Sequence, residues 1–332
     1  MELPSAAVGA GQCQGRSAEE SGAAAGEKIV DPSGARAVDG DPLSACVGWI
    51  EPFPHASFSA ESCRRAAAFR PDPADVFVVT APKTGTTWLQ AVCHFLRTDG
   101  QPDDFEDIYQ VSPWDQMAWD LDQDLAAEPV ARPRVFKTHL RLASLNRGCR
   151  YLCIVRDVES TLLSWWSFLR KKDVPPLRRY SSASEFVFDE DFVLGGMRFG
   201  ATVWEYYAEF VQCLHLPCVL VLCYEDLLAD LEGHLGPISD FLGLPHPSSA
   251  AVGRILARCS KAGMVEDVTK YDESWAYHEL RRLGRAPDGA ESFAPAPRVR
   301  DGGVAGEPLD GPARQLLRRR WAEEVERRTG LQ

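Results

Sequence analysis

Apolar residues in this chain follow two patterns that take turns. Short, nearly continuous runs span Asp75 to Ala81 (DVFVVTA), Arg134 to Leu140 (RVFKTHL), Arg150 to Asp157 (RYLCIVRD) and Cys218 to Glu225 (CVLVLCYE). Runs of that length, rich in Val, Ile, Phe and Leu, predict strands buried on both faces. Between them, apolar positions recur at helical spacing over Thr87 to Arg97 (TWLQAVCHFLR), Glu159 to Leu169, Asp191 to Leu214, the stretch after the fourth strand to about Leu242, and Ala313 to Arg328. Strands alternating with helices predict an α/β fold: a single domain with a central parallel sheet flanked by helices.

The ends of the chain lack this order. Residues 1 to 45 are rich in Ala, Gly and Ser without a period and predict a disordered tail, so the folded domain is expected over residues 46–332. The segment 284–312, rich in Gly, Pro and Ala, predicts a long mobile loop.

Where the first strand meets its helix the chain reads VVTAPKTGTTW, Val78 to Trp88. Ligands of α/β sheets bind at such strand-to-helix turns, where free N–H groups and the helix dipole favour an anion. Gly85 allows close backbone approach, Thr86 and Thr87 add hydroxyls, and Lys83 adds a cation. The turn is P-loop-like but not a Walker A loop, in which the lysine follows the glycine. An ordinary turn with helix-capping threonines is the plainer alternative.

Composition narrows the function classes. The 332 residues are 45% hydrophobic and carry a formal net charge of −12, which argues against a nucleic-acid partner or an anionic membrane surface. No apolar run approaches a bilayer span. The N-terminus lacks a basic region followed by an apolar stretch, and Glu19, Glu20 and Glu27 argue against an acid-poor transit peptide, so a cytoplasmic location is expected. The ten cysteines form no C-x-x-C and the seven histidines no H-x-x-x-H, so reduced thiols and no metal site are expected.

Four motifs then change the picture together. PKTGTTW resembles the P-K-S-G-T-T-W motif of sulfotransferases that use 3′-phosphoadenosine 5′-phosphosulfate (PAPS). Phe136 to Leu140 (FKTHL) resembles that family's K-T-H-L segment, Arg156 to Ser164 its R-x-(7)-S element, and Tyr224 to Leu227 its Y-E-D-L. The order and spacings match, and the resemblance covers about Trp49 to the C-terminus; the family is that of the cytosolic-type sulfotransferases.

The resemblance implies that Lys83, Thr84, Gly85, Thr86 and Thr87 hold the 5′-phosphosulfate and that Trp88 stacks on the adenine. It assigns Arg156 and Ser164 to the 3′-phosphate, with Tyr224 and Ser260 as further nucleotide contacts. Arginine suits a phosphate through bidentate, charge-assisted contacts. The leaving phosphate gains negative charge, so Lys83 and Lys137 are the candidate cations beside it. The acceptor must lose a proton, and His139, of a residue type that titrates near neutrality, is the candidate general base.

The C-terminal match is the loosest. Against the family's R-K-G-x-x-G, Arg300 and Gly302 align, but Asp301 stands in the lysine's place and the second glycine comes one position late; Arg298 is a nearby cation. Ser260 and Met264 align with an S-F-x-x-M element whose phenylalanine is missing.

Phe105 to Asp124 holds Tyr109, Trp114, Met117 and Trp119 among several acids. By resemblance this region helps line the acceptor pocket and implies a small-molecule alcohol, phenol or amine; the residues alone fit better a surface helix with its aromatics packed inward. No clear copy of the family's C-terminal dimer motif is present, which leaves a homodimer open. Two rival readings are a P-loop kinase of small molecules and a nucleotide-binding protein without catalysis.

Overall fold

The computed structural model describes residues 41–53, 57–101, 105–171, 175–196, 199–286 and 308–331. Among these, the sheet holds β1 (Val76–Thr80), β2 (Val135–Thr138), β3 (Arg150–Val155) and β4 (Val219–Cys223), all parallel, in the order β2-β1-β3-β4. Each strand lies inside one of the apolar runs read from the sequence, trimmed at the ends where the chain passes into loops.

Alternation along the strands sends side chains into two cores. Phe77 and Val79 join Phe136, Tyr151 and Cys153 on one face, while Val76 and Val78 join Leu152, Ile154 and the helix α3 (Thr86–Arg97) on the other. All five residues of β1 are buried, as a central strand covered on both sides requires. The register Val79↔Thr138 and Thr80↔Ile154 brings the carboxyl ends of β1, β2 and β3 to one edge. Because β2 and β3 lie on opposite sides of β1, the crevice of a doubly wound sheet opens after β1.

A buried ion pair fixes the opposite edge. Arg134, just before β2, donates from Nε and Nη2 to both oxygens of Asp75, at 2.8 and 2.6 Å. Asp72 accepts a further bond from Arg134 at 2.8 Å. Asp75→Ala would leave a buried guanidinium with the exposed Asp72 as its remaining ion-pair partner among the described residues and Glu128 as a further nearby carboxylate, and should destabilise the protein by about 3 kcal/mol in urea unfolding. A loss below about 1 kcal/mol would mean that Asp72 suffices as partner.

Several expected boundaries move. The tail expected to run to residue 45 gives way earlier: Asp41 caps the helix α1 (Pro42–Cys46), whose Leu43 is wholly buried. Residues 1–40 lie outside the described residues, as does 287–307 of the expected mobile loop.

The pattern from Asp191 to Leu214 becomes a helix only over Val203–Cys213. Gly196 and Gly200 take positive φ before it, and Thr202 forms a capping box with Glu205. A Cβ on Gly196 would meet Ala201 backbone atoms at 2.3 Å, so the helical period there is overridden by a close backbone approach. The helix after β4 divides into Tyr224–Ala229 and Leu231–Leu242, because Asp230 leaves helical geometry and caps the second piece through the Gly233 N–H. The final helix runs Gly311–Trp321 and continues through a π-helical stretch, Ala322–Glu326, to Arg327–Thr329.

Candidate active site

The loop after β1 is shaped by two backbone positions of positive φ, Lys83 at 70° and Gly85 at 113°. Gly85 stands at the N-cap of α3 with no side-chain cap, which leaves the first helical N–H groups of α3 for another acceptor. A Cβ at Gly85 would come within 2.8 Å of Tyr224 Cδ2, so only glycine lets that ring lie against the loop. Thr84 staples the loop by donating to the Ala81 carbonyl at 2.8 Å, and Thr86 Oγ1 pairs with Thr80 Oγ1 at 2.7 Å.

Thr80 also reaches the histidine. His139 follows β2, and its Nδ1 lies 2.8 Å from the Thr80 carbonyl and 3.2 Å from Thr80 Oγ1. A carbonyl can only accept, so Nδ1 carries a proton and the neutral ring holds its lone pair on Nε2. The Tyr206 hydroxyl donates to the His139 carbonyl, and Trp114 and Phe199 flank the ring with centroids 5.1 and 5.2 Å away. His139 and the loop after β1 thus share one threonine.

The two lysines sit differently. Lys83 holds its ammonium 4.2 Å from the Phe168 ring centroid on the helix α5 (Val158–Lys171), one turn from the half-buried Ser164. Lys137 is fully buried: its Nζ donates to Tyr109 Oη at 2.6 Å and lies 3.5 Å from the Trp114 ring centroid. Beside it, burial pushes Asp115 up to about 7 against the opposing pull of Thr138, the Gln116 N–H and Lys137.

Arg156 closes the loop from the β3 side. Its Nη1 donates to the Lys83 carbonyl at 2.9 Å, and the guanidinium lies 4.4 Å from the Tyr224 ring centroid. Its backbone is clamped by Tyr207, whose Oη accepts from the Arg156 N–H at 2.9 Å and donates to the Arg156 carbonyl at 2.8 Å. Its buried Nε has no hydrogen-bond partner among the described residues. A buried cationic donor left over in this way suits an anion.

Trp88 donates from Nε1 to the Cys259 carbonyl at 2.8 Å and meets Tyr224 edge-on. Ser260, next in sequence, donates to Ala257 at 2.7 Å and accepts from the Gly263 N–H at 3.0 Å, capping the helix Lys261–Glu266. Its hydroxyl is therefore engaged in the fold. Met264 is buried in the core. Arg300 and Gly302 lie outside the described residues.

The structure thus brings Lys83, Thr84, Gly85, Thr86, Thr87, Trp88, His139, Arg156 and Tyr224 together around one loop. Sequence reading passed over Thr80, Tyr206 and Tyr207. Only Thr80 carried a local signal, a hydroxyl on the last residue of the strand entering the loop. The segment after residue 105 is not a surface helix: it forms the short helix α4 (Ile108–Val111) and a 3-10 turn, Asp115–Leu121, with Tyr109, Trp114 and Met117 buried.

Fold and site together define an α/β protein with a phosphate-type loop and a histidine at the switch point of its sheet. Residues 73–281 match the family model described as a sulfotransferase domain, and the chain belongs to the sulfotransferase family. Cytosolic sulfotransferase 5 of Arabidopsis thaliana is 29% identical over 214 residues, covering 58% of this chain and 65% of that protein, a little under two thirds of its length. The 3-alpha-hydroxysteroid sulfotransferase of Cavia porcellus is 28% identical over 206 residues, covering 59% of this chain and 69% of that protein.

Solved structures of like fold include retinol dehydratase in a complex with retinol and PAP (TM-score 0.53, 20% identity, covering 82% of this chain and 86% of that one). Mouse sulfotransferase SULT7A1 complexed with PAP is another (TM-score 0.52, 18% identity, covering 80% and 88%). Among the described residues no helix is long and apolar enough to cross a membrane, and no group of three or more His, Cys, Asp or Glu could hold a metal ion.

Proposed function

We propose that this protein is a PAPS-dependent sulfotransferase acting on a hydroxyl or amine of a small-molecule acceptor. The observation that carries the reading is Thr80, which hydrogen-bonds both the loop threonine Thr86 and His139 and so ties the candidate base to the anion loop. The site suits the donor's two phosphates. The Gly85 turn and the start of α3 present N–H groups to one, and Arg156 keeps a buried donor for the other.

Bound PAPS supplies the sulfuryl group and departs as 3′,5′-ADP. His139 takes the acceptor's proton at Nε2, the nitrogen left basic by the bond from Nδ1 to Thr80. Lys83 and Lys137 supply positive charge, and Ser164 with Arg156 holds the 3′-phosphate. The rings of Trp114 and Phe199 beside His139 support an apolar or aromatic alcohol, phenol or amine as acceptor. The names of cytosolic relatives support a cytoplasmic location.

Thermal unfolding with 3′,5′-ADP, set beside ATP–magnesium, tests the donor site. At about a hundredfold over its dissociation constant, 3′,5′-ADP should add roughly 2.7 kcal/mol of stability, with ATP–magnesium adding little. Arg156→Ala should abolish most of that gain. A response to ATP–magnesium alone would favour a P-loop kinase and overturn the sulfotransferase reading.

A further inference from the structure

Lys137 is a fully buried cation, and its charge is answered through a phenol. Lys137 Nζ donates to Tyr109 Oη at 2.6 Å, and the Tyr109 hydroxyl donates in turn to Glu273 Oε1 at 3.1 Å. All three residues are buried, and Glu273 lies 164 positions from Tyr109. Glu273 also sits in left-handed backbone geometry, φ 70° and ψ 11°, immediately before the helix α12 (Ser274–Arg282). A non-glycine residue held there stores strain, and strain of this kind gathers where side-chain placement matters. The chain thus keeps a carboxylate at a backbone position where glycine would be easier.

We infer that Glu273, acting through Tyr109, is a positioning residue that keeps Lys137 charged and held at the carboxyl end of β2. The inference deepens the reading of Lys137 as a catalytic cation and rests on it. An ammonium packed against Trp114, 3.5 Å from its ring centroid, gains from the aromatic face but loses its hydration. Without a carboxylate in hydrogen-bonded connection it would shed its proton more readily, and a neutral amine cannot stabilise a leaving phosphate.

Other titratable groups share the neighbourhood. Asp115 faces Lys137 from the 3-10 turn, and His139 follows it on the same strand. The helix α3, which packs on β2, carries Cys93, whose thiol burial pushes up to about 12, and the hydrogen-bonded pair His94 and Arg97. The strand β1 places Val78 opposite Lys137. All of these are the same in wild type and variant, so a change made at Glu273 is read against a constant background.

The test is nuclear magnetic resonance of the protein labelled with ε-13C-lysine, the Lys137 signal being assigned by its loss in Lys137→Arg. In Glu273→Gln and in Tyr109→Phe, both near-isosteric, the Lys137 proton affinity should fall about tenfold, moving its titration to lower pH. Glu273→Gly, which removes the carboxylate and relieves the strained φ, should show the same shift. An unchanged Lys137 titration in Glu273→Gln and Glu273→Gly overturns the inference and leaves Glu273 a structural residue of α12. The titration needs no acceptor. Turnover with PAPS by Lys137→Met at the wild-type rate would instead remove Lys137 from the chemistry, and with it the catalytic meaning of the relay.

Discussion

His139→Ala should lower sulfuryl transfer by about 10²–10⁴-fold, the span expected for loss of a general base, while affinity for 3′,5′-ADP stays within about twofold. The asymmetry follows from where the ring is held. The bond from Nδ1 to the Thr80 carbonyl fixes the tautomer and leaves Nε2 basic, but the nucleotide-binding groups assigned to Lys83, Gly85 and Arg156 lie on other segments. Trp114 and Phe199 flank the ring, which is itself buried. Single-turnover measurement with PAPS and a panel of phenols, alcohols and amines, alongside calorimetric titration with 3′,5′-ADP, separates the two effects. A variant that transfers at the wild-type rate would remove His139 as the base. A variant that loses 3′,5′-ADP binding as well would show instead that His139 supports the loop through Thr80.

Gly85→Ala should be the most damaging single methyl in the donor site. The backbone there has φ 113°, which L side chains rarely adopt, and the new Cβ would stand 2.8 Å from Tyr224 Cδ2, 3.1 Å from Cε2 and 3.4 Å from Ile154 Cδ1. Tyr224 cannot retreat freely, because Trp88 meets it edge-on and Arg156 lies over its face. The loop must therefore open, which turns N–H groups away from the phosphate and disturbs the Arg156 bond to Lys83. Expected are a loss of about 2 kcal/mol in stability and a fall of at least about a hundredfold in 3′,5′-ADP affinity. Gly85→Ala/Tyr224→Leu should recover part of the stability and little of the affinity, since it removes the ring contact but not the strained φ. Unaltered 3′,5′-ADP binding in Gly85→Ala would mean that this turn is not the phosphate cradle.

Much of this architecture was legible in local pattern. Each strand lies within its apolar run because a strand covered on both faces needs apolar residues at every position. The helix after the loop began within a residue of its expected start, since the glycine and paired threonines mark that junction. Where a period misled, the cause was tertiary: between Asp191 and Leu214 the apolar spacing holds, yet Gly196 packs on the backbone of Ala201 and delays the helix to Val203. The segment around Tyr109 and Trp114 was ambiguous for a related reason. Its aromatic residues are buried over the Lys137 side chain, a placement set by β2 rather than by its own sequence.

The parallel α/β plan, the loop from Pro82 to Thr87 and the candidate chemistry of Lys83, His139 and Arg156 are thus all written in residues adjacent along the chain. Packing between distant segments settled how those side chains are held. It set which nitrogen of His139 carries the proton, how Tyr207 clamps Arg156, and the run of hydrogen bonds from Lys137 through Tyr109 to Glu273. Such contacts depend on strand register and on how distant helices pack, and neighbouring residues impose no pattern on either.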